Sequence, residues 1–241
     1  MRPATGPPTT AEPLTRYHSL RDHEGRVIWD GAYNLYPLWP EFGIPDDLRG
    51  QSVIDIGSAT GFFAFECEKR GAAPVVATEL ASAADRDVKA NRSDFRRQAL
   101  TATPEQSHQA IREAAALLHS HVTMQQGSIN DPMHKTLGEY DWVIFGSLMT
   151  SLRNPILALE HVRALTRGRA VVISNYIPGE PRALLQWVES DRPYDWWLPS
   201  KSLMPQMLRA AGFGRVEETG DFVLRHQNGH EQRQACWHAF P

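Results

Sequence analysis

Val53-Ile54-Asp55-Ile56-Gly57-Ser58-Ala59-Thr60-Gly61-Phe62 is the stretch that decides the fold of this chain. A short apolar run rich in β-branched residues enters a turn with two glycines, and Phe62 opens a helical pattern directly behind it. Gly57 permits a backbone conformation that a side chain would obstruct, and Gly61 permits close approach of the helix. Backbone amides exposed at such a helix start favour a polar or negatively charged ligand group. In open α/β sheets ligands sit outside the carboxyl ends of the strands, near the reversal of strand order.

The same rhythm repeats on either side. Ser52–Gly57, Pro74–Leu80, Val122–Gly127, Trp142–Ser147 and Ala170–Tyr176 are continuous apolar runs, as expected of strands buried on both faces of a parallel sheet. Helical stretches separate them. Phe62–Arg70 stops at Gly71, a position suited to a left-handed cap. Thr103-Pro104-Glu105 offers a cap, a first-turn proline and an early carboxylate before Ile111, Ala114, Ala115 and Leu118 recur at helical spacing. Asn154-Pro155 repeats the device, with Gly168 expected to close that helix, and Ser202–Ala211 forms another that ends at Gly212. Near the C-terminus, Phe222–Arg225 and Gln234–Phe240 flank Asn228-Gly229, a tight hairpin turn. The pattern predicts an α/β, Rossmann-like doubly wound fold, with a mostly parallel seven-stranded sheet and an antiparallel C-terminal hairpin edge.

Residues 1–15 read as a flexible Pro/Thr arm and 16–50 as a cap or lid segment holding Trp29, Tyr33, Tyr36 and Trp39. Residues 51–241 form the α/β domain. A chain of 241 residues, 41% hydrophobic and 22% charged with net charge −3, excludes collagen-like and compositionally disordered classes. No stretch approaches the ~20 apolar residues a membrane span needs. The opening residues lack the apolar block of a secretory signal. Two cysteines, Cys67 and Cys236, cannot form a disulfide framework, so a reducing cytoplasm is the expected compartment and Cys67 is expected in the core. The acidic balance argues against a protein built to grip phosphate backbones.

Two ligand classes compete for the glycine loop. The dinucleotide pattern G-x-G-x-x-G is absent, because Ala59 occupies the middle glycine position and residue 62 is Phe. Asp55 would oppose a nearby pyrophosphate. It suits a ligand with a positive charge and no phosphate, such as S-adenosylmethionine. Glu79, about 20 residues on and ending the second strand, is placed to accept hydrogen bonds from ribose hydroxyls. The combination favours adenosylmethionine over a nicotinamide cofactor.

These residues resemble those of class I adenosylmethionine-dependent methyltransferases. Within that superfamily the chain is similar to the group containing the tRNA wobble-uridine carboxymethyltransferase and its bacterial relatives. The resemblance runs from Arg16 to near the C-terminus. It is carried by RYHSLRDHEGRV (16–27), VIDIGSATGFFAFECEKRGA (53–72), QQGSIND (125–131), YDWVIFGSLMTSLRNPILALEHVRALTRG (140–168) and DWWLPSKSLMPQMLRAAGF (195–213). It implies that Gly57, Ser58 and Gly61 line the methionine portion of the cofactor, with Asp55 ordering that loop. It implies Glu79 on the ribose, Leu80 against the adenine, Ser128 and Ile129 at the adenine edge, and Gly146 and Ser147 beside the methionine portion. Relatives often carry His where this chain has Ser151, so the acceptor chemistry is not carried over.

Methyl transfer from a sulfonium needs alignment and water exclusion more than covalent help. An oxygen or nitrogen nucleophile also needs a proton acceptor. Tyr17 and His18 are the candidates for this role, with a hydrogen-bonded structural pair as the alternative. Asn175 and Tyr176 follow the fifth strand as substrate contacts or loop anchors. Of Asp195-Trp196-Trp197, Trp196 is assigned to packing and Trp197 to substrate contact. His119, His121, His226 and His230 read as ordinary surface histidines, and no metal site is expected. Arg86, Lys89, Arg92, Arg96 and Arg97 read as a solvated helix face, with contact to RNA phosphate as the alternative. The expected reaction is methylation of an oxygen or nitrogen on a small-molecule acceptor, a specialised metabolite, in a protein without membrane contact. The rivals are a tRNA-modifying (carboxy)methyltransferase and a non-methylating cofactor-binding scaffold or cyclase.

Overall fold

The structure, a computed structural model, describes residues 16–90, 103–189 and 195–241. A small N-terminal hairpin, β1 (Leu20–Arg21) and β2 (Val27–Trp29), precedes a 3-10 turn over Tyr36–Phe42. The central elements are β3 (Val53–Ile56), α1 (Phe62–Lys69), β4 (Val75–Glu79), α2 (Pro104–Leu118), β5 (Thr123–Gln126), α3 (His134–Leu137), β6 (Tyr140–Gly146), α4 (Pro155–Leu165) and β7 (Thr166–Asn175). A second small hairpin, β8 (Leu185–Trp187) and β9 (Trp197–Pro199), leads to α5 (Met204–Ala210). Two long strands, β10 (Arg215–Arg225) and β11 (Glu231–Phe240), end the chain.

Seven strands form one sheet in the order β10-β11-β7-β6-β3-β4-β5. From β7 to β5 all neighbours are parallel, whereas β11 runs antiparallel to both β10 and β7. The chain steps outward from β3 through β4 to β5, then returns to lay β6 on the other side of β3. That reversal opens a crevice at the carboxyl ends of β3 and β6. The fold expected from sequence is the one observed, hairpin edge included.

Local chemistry accounts for the helix starts. At α2 the Gln106 amide donates to Thr103 Oγ1 (3.2 Å) and the Thr103 amide donates to Gln106 Oε1 (2.9 Å). This capping box satisfies two amides that the first turn would leave unpaired. At α4 the Leu157 amide donates to Asn154 Oδ1. Along β6, Trp142 and Ile144 face one core layer while Val143 and Phe145 face the other, and all four are at most 5% exposed. The aromatic N-terminal segment belongs to the first layer. Phe42 packs on Phe63 with ring centroids 5.0 Å apart, and the Arg70 guanidinium lies 3.8 Å over the Trp39 ring. Buried Glu66 accepts from Arg70 (2.6 Å) and from the Tyr36 hydroxyl (3.2 Å), pinning that segment to α1.

Four expectations need correction. Gly168 does not close α4, which ends at Leu165 where Thr166 Oγ1 donates to the Val162 carbonyl. Gly168 lies inside β7, where a Cβ would sit 2.5 Å from the Asp141 carbonyl oxygen. Strand β5 is largely exposed because it is the sheet edge, so only one flank is covered. The C-terminal strands start earlier than their apolar runs. Polar residues fit there on an outer edge strand, as when Lys201 pairs with Glu218 and Asp221. Of the basic run, Arg92, Arg96 and Arg97 lie outside the described residues. Lys89 is buried, donating to the Val188 carbonyl over the Trp187 ring, rather than solvated. Both Cys67 and Cys236 are buried free thiols, and no helix among the described residues is long and apolar enough to cross a membrane.

Gly220 sits at a register shift in β10, and a Cβ there would lie 2.3 Å from the Glu41 carbonyl oxygen. This close backbone approach ties the hairpin to the 3-10 turn, as glycine in a strand often does. Gly220→Ala is expected to destabilise the chain by about 1–3 kcal/mol through overpacking. Urea unfolding measures it, and an unchanged midpoint would mean the contact is not needed.

Candidate active site

A cavity of about 580 Å³ opens where the strand order reverses. Its floor is made by the residues that leave β3, β4, β6 and β7: Gly57 and Ser58, Glu79 and Leu80, Gly146 and Ser147, and Asn175. Gly57 has φ +66°, a conformation that favours glycine, and a Cβ there would meet Leu148 Cδ1 at 2.4 Å, so that the end of the Leu148 side chain would have to shift. Ala59 and Ser147 also line the cavity with positive φ, 49° and 56°. Such backbone persists only when its surroundings over-determine it. Here the Ser58 amide donates to the Thr78 carbonyl, the Ser147 amide to the Ile173 carbonyl, and Ser147 Oγ to Gln234 Oε1 (3.1 Å).

Asp55 faces this cavity from the end of β3 yet is only 2% exposed. Its Oδ2 has no hydrogen-bond partner among the described residues. Burial pushes its pKa up to about 7, with Glu79 adding to the rise and a backbone hydrogen bond from Ala64, in the first turn of α1, opposing it. Glu79 is raised as well, chiefly by burial, although the Leu80 amide donates to its Oε1 at 2.8 Å.

The N-terminal segment covers the other side. The His18 amide donates to Thr60 Oγ1 (2.9 Å) in the glycine loop, and Trp29 Nε1 donates to the His18 carbonyl. Burial lowers the His18 pKa to about 3, so its imidazole is neutral at physiological pH.

Tyr17, His18, Asp55, Gly57, Ser58, Glu79, Leu80, Ser128, Gly146, Ser147 and Asn175 therefore share one cavity. Four other candidates do not line it. Gly61 starts α1 behind the loop, where a Cβ would meet the Phe65 ring at 2.6 Å. Ile129 is a core residue whose carbonyl lies 2.6 Å from His161 Nδ1. Tyr176 is buried and its hydroxyl donates to Asp221. Trp197 packs on Trp187 and donates to the Arg153 carbonyl. Trp196 is buried, donating to the Asp87 carbonyl, as its packing assignment requires.

The sequence reading missed the C-terminal hairpin as a wall. Phe222, Leu224 and His226 on one strand side and Gln232 and Gln234 on the other all line the cavity. Their spacing of two was legible as one strand face. What that face would cover was not. His226 is half-buried against Tyr33, not a surface histidine, whereas His230 is exposed at the rim.

A glycine loop, a buried carboxyl beside it and a second acid ending the next strand meet in a doubly wound α/β protein with an open cleft at its switch point. The family follows from the sequence itself. A family model described as a methyltransferase domain matches residues 33–218, and the chain belongs to that family. No curated protein matches it in sequence. Solved structures share its fold. The N-terminal domain of EvdMO1, solved in the presence of S-adenosylhomocysteine and D-fucose, superposes with TM-score 0.63 at 13% identity, covering 90% of this chain and 88% of that one. The 1,6-didemethyltoxoflavin-N1-methyltransferase of Burkholderia thailandensis gives TM-score 0.52 at 14% identity, covering 80% and 72%. Magnesium protoporphyrin IX methyltransferase from Synechocystis PCC 6803, solved with bound S-adenosylmethionine, gives 0.51 at 12% identity, covering 80% and 72%.

The raised pKa of Asp55 makes stability depend on pH. Between the ordinary carboxylate value of 3.8 and about 7 the folded chain holds a proton that the unfolded chain has lost. The contribution of Asp55 is therefore full below 3.8 and is lost as pH rises through about 7. Asp55→Asn should remove this component. Denaturant unfolding of both chains from pH 4 to 8 should show the gap between them moving in the variant's favour as pH rises. A gap independent of pH would refute the burial of this carboxyl.

Proposed function

We propose that this chain binds S-adenosylmethionine in the cavity and directs its methyl group to an oxygen or nitrogen of a small-molecule acceptor, a specialised metabolite. One observation carries the reading: a buried carboxylate oxygen of Asp55 without a hydrogen-bond partner among the described residues, next to a glycine loop whose Gly57 has positive φ. An orphaned buried acceptor costs about 1–3 kcal/mol. The cationic amino group of a bound amino-acid moiety offsets that cost, whereas a pyrophosphate would add to it. The residues present thus fit this cofactor.

When bound, the cofactor supplies a methyl group already activated by its positive sulfur. Glu79 holds the ribose hydroxyls, Leu80 and Ser128 border the adenine with Ile129 behind them, and Gly57, Ser58, Gly146 and Ser147 hold the methionine portion. Gly61 sets the start of α1 so that this loop keeps its shape. Tyr17 and His18 serve the acceptor side, with Asn175 beside them. A histidine kept neutral by burial orients an acceptor as an uncharged group and is a poor store for its proton near pH 7. Residues 16–50 act as the cap that excludes water, since His18 is bonded into the glycine loop itself.

Glu79→Ala should weaken binding of S-adenosylhomocysteine at least ten-fold and leave thermal unfolding near that of the unaltered chain. Titration calorimetry decides it. Unaltered affinity would remove Glu79 from the ribose and, with it, this assignment of the cavity.

A further inference from the structure

The acceptor half of the cavity is walled by rings from both ends of the chain. Tyr17 and His18 have centroids 4.7 Å apart, Tyr17 and Tyr33 5.0 Å, and Tyr33 and His226 4.9 Å at 88°. All four line the cavity. Main-chain hydrogen bonds hold the wall: the Tyr33 amide to the Tyr17 carbonyl, the Ser19 amide to the Tyr33 carbonyl, and the Gln227 amide to the Ala32 carbonyl, each 2.9 Å. Phe42 and Phe222 continue it, edge to face at 5.5 Å. Beyond the hydroxyls and ring nitrogens of the wall itself and His230 at the rim, the polar side chains on this half are the amides Asn175, Asn228, Gln232 and Gln234. Among the described residues, the lining drawn from the N-terminal segment and the hairpin contains no lysine, arginine or carboxylate; Asp85, Arg86, Asp87 and Asp195 line other parts of the cavity, Arg86 close enough to Glu79 to act on its charge.

Each feature selects against something. Rings arranged edge to face favour a flat π-system over a saturated ring. A partly enclosed wall without a cation cannot repay the desolvation of a carboxylate or phosphate. It also offers no counter-charge to a nucleic-acid backbone, which the binding of RNA needs. Amides supply donors and acceptors without charge, so they suit a hydroxyl or ring N–H.

We infer that the acceptor is a small, uncharged, planar aromatic molecule bearing a hydroxyl or ring N–H, held against Tyr17, His18, Tyr33 and His226. This rests on the methyltransferase reading above. In the transfer, the acceptor's oxygen or nitrogen lone pair forms the new bond to the methyl carbon. The carbon–sulfur bond breaks with its electron pair going to sulfur, and the acceptor's proton leaves to water.

The test uses the full chain saturated with S-adenosylhomocysteine and three probes of one shape: 2-naphthol, its anionic counterpart 2-naphthoate, and saturated decahydro-2-naphthol. Calorimetry is expected to show 2-naphthol binding at least ten-fold more tightly than either of the others. His226→Ala should weaken 2-naphthol about five-fold, the scale of one aromatic pair, without moving the affinity for S-adenosylhomocysteine. No binding of 2-naphthol, equal binding of the naphthoate or the saturated alcohol, or an unmoved 2-naphthol affinity in the variant overturns the proposal. If the variant does not fold, the three-probe comparison on the unaltered chain decides alone. Displacement of 2-naphthol by bulk tRNA, weakening with salt, would overturn it in favour of an RNA base. Should S-adenosylhomocysteine itself fail to bind, the methyltransferase reading falls, and the same probes on the free chain still decide the wall.

Discussion

A carboxylate taken out of water at the end of β3 is the constraint around which this protein is arranged. Asp55 is 2% exposed and lies beside a turn whose Gly57 takes a positive φ that side chains disfavour. Taking an ionised group from water costs far more than a typical protein contact returns, so the group raises its pKa or finds a partner. The free chain does the first, and the hydrogen bond from an amide of α1 opposes that rise only in part. The positive φ values at Gly57, Ala59 and Ser147 belong to the same arrangement: backbone is bent so that strand ends, not side chains, face the crevice. The strand topology then brings Glu79 alongside, since β4 is the parallel neighbour of β3.

The two ends of the chain complete what the sheet begins. The N-terminal segment is anchored through Thr60 to the loop, through Glu66 and Arg70 to α1, and through the Ala32 carbonyl to the hairpin tip. The hairpin is tied to the 3-10 turn at Gly220, and the His238 ring contacts the Phe42 carbonyl at 2.9 Å. A cavity closed in this way inherits its shape from contacts across some 200 residues of chain, such as Tyr33 with His226. Its chemistry differs between halves. Acids gather near the β3 and β4 ends, while rings and amides face the hairpin.

The parts of the fold that were legible depend on local rules. Asn154-Pro155 and Thr103-Pro104 announce helix starts because capping involves only a few consecutive residues. Asn228-Gly229 announces a hairpin because the turn itself demands those residues. Gly168 misled for the opposite reason. Its requirement comes from the Asp141 carbonyl on the neighbouring strand, which no local pattern encodes. The exposure of β5 was likewise hidden, since an edge strand is defined by the neighbour it lacks. In the site, the glycine loop and Glu79 stand next to strand ends that can be read one at a time. Tyr176 was assigned by the same logic, but its hydroxyl is taken by Asp221, Lys201 and Arg233 converge on that acid, and the side chain is drawn into the structure.

The sequence by itself determined the strand–loop–helix unit, the order of elements and the acids at the strand ends. Hydrogen bonding, capping and side-chain alternation act over a few residues and leave a periodic trace. Only the tertiary structure decided which side chains meet. The neutrality of His18, the pairing of Tyr33 with His226 and the turning of Phe222 and Gln234 into the cavity all depend on burial. Burial is created by segments far apart in the chain, and no single segment carries a record of it.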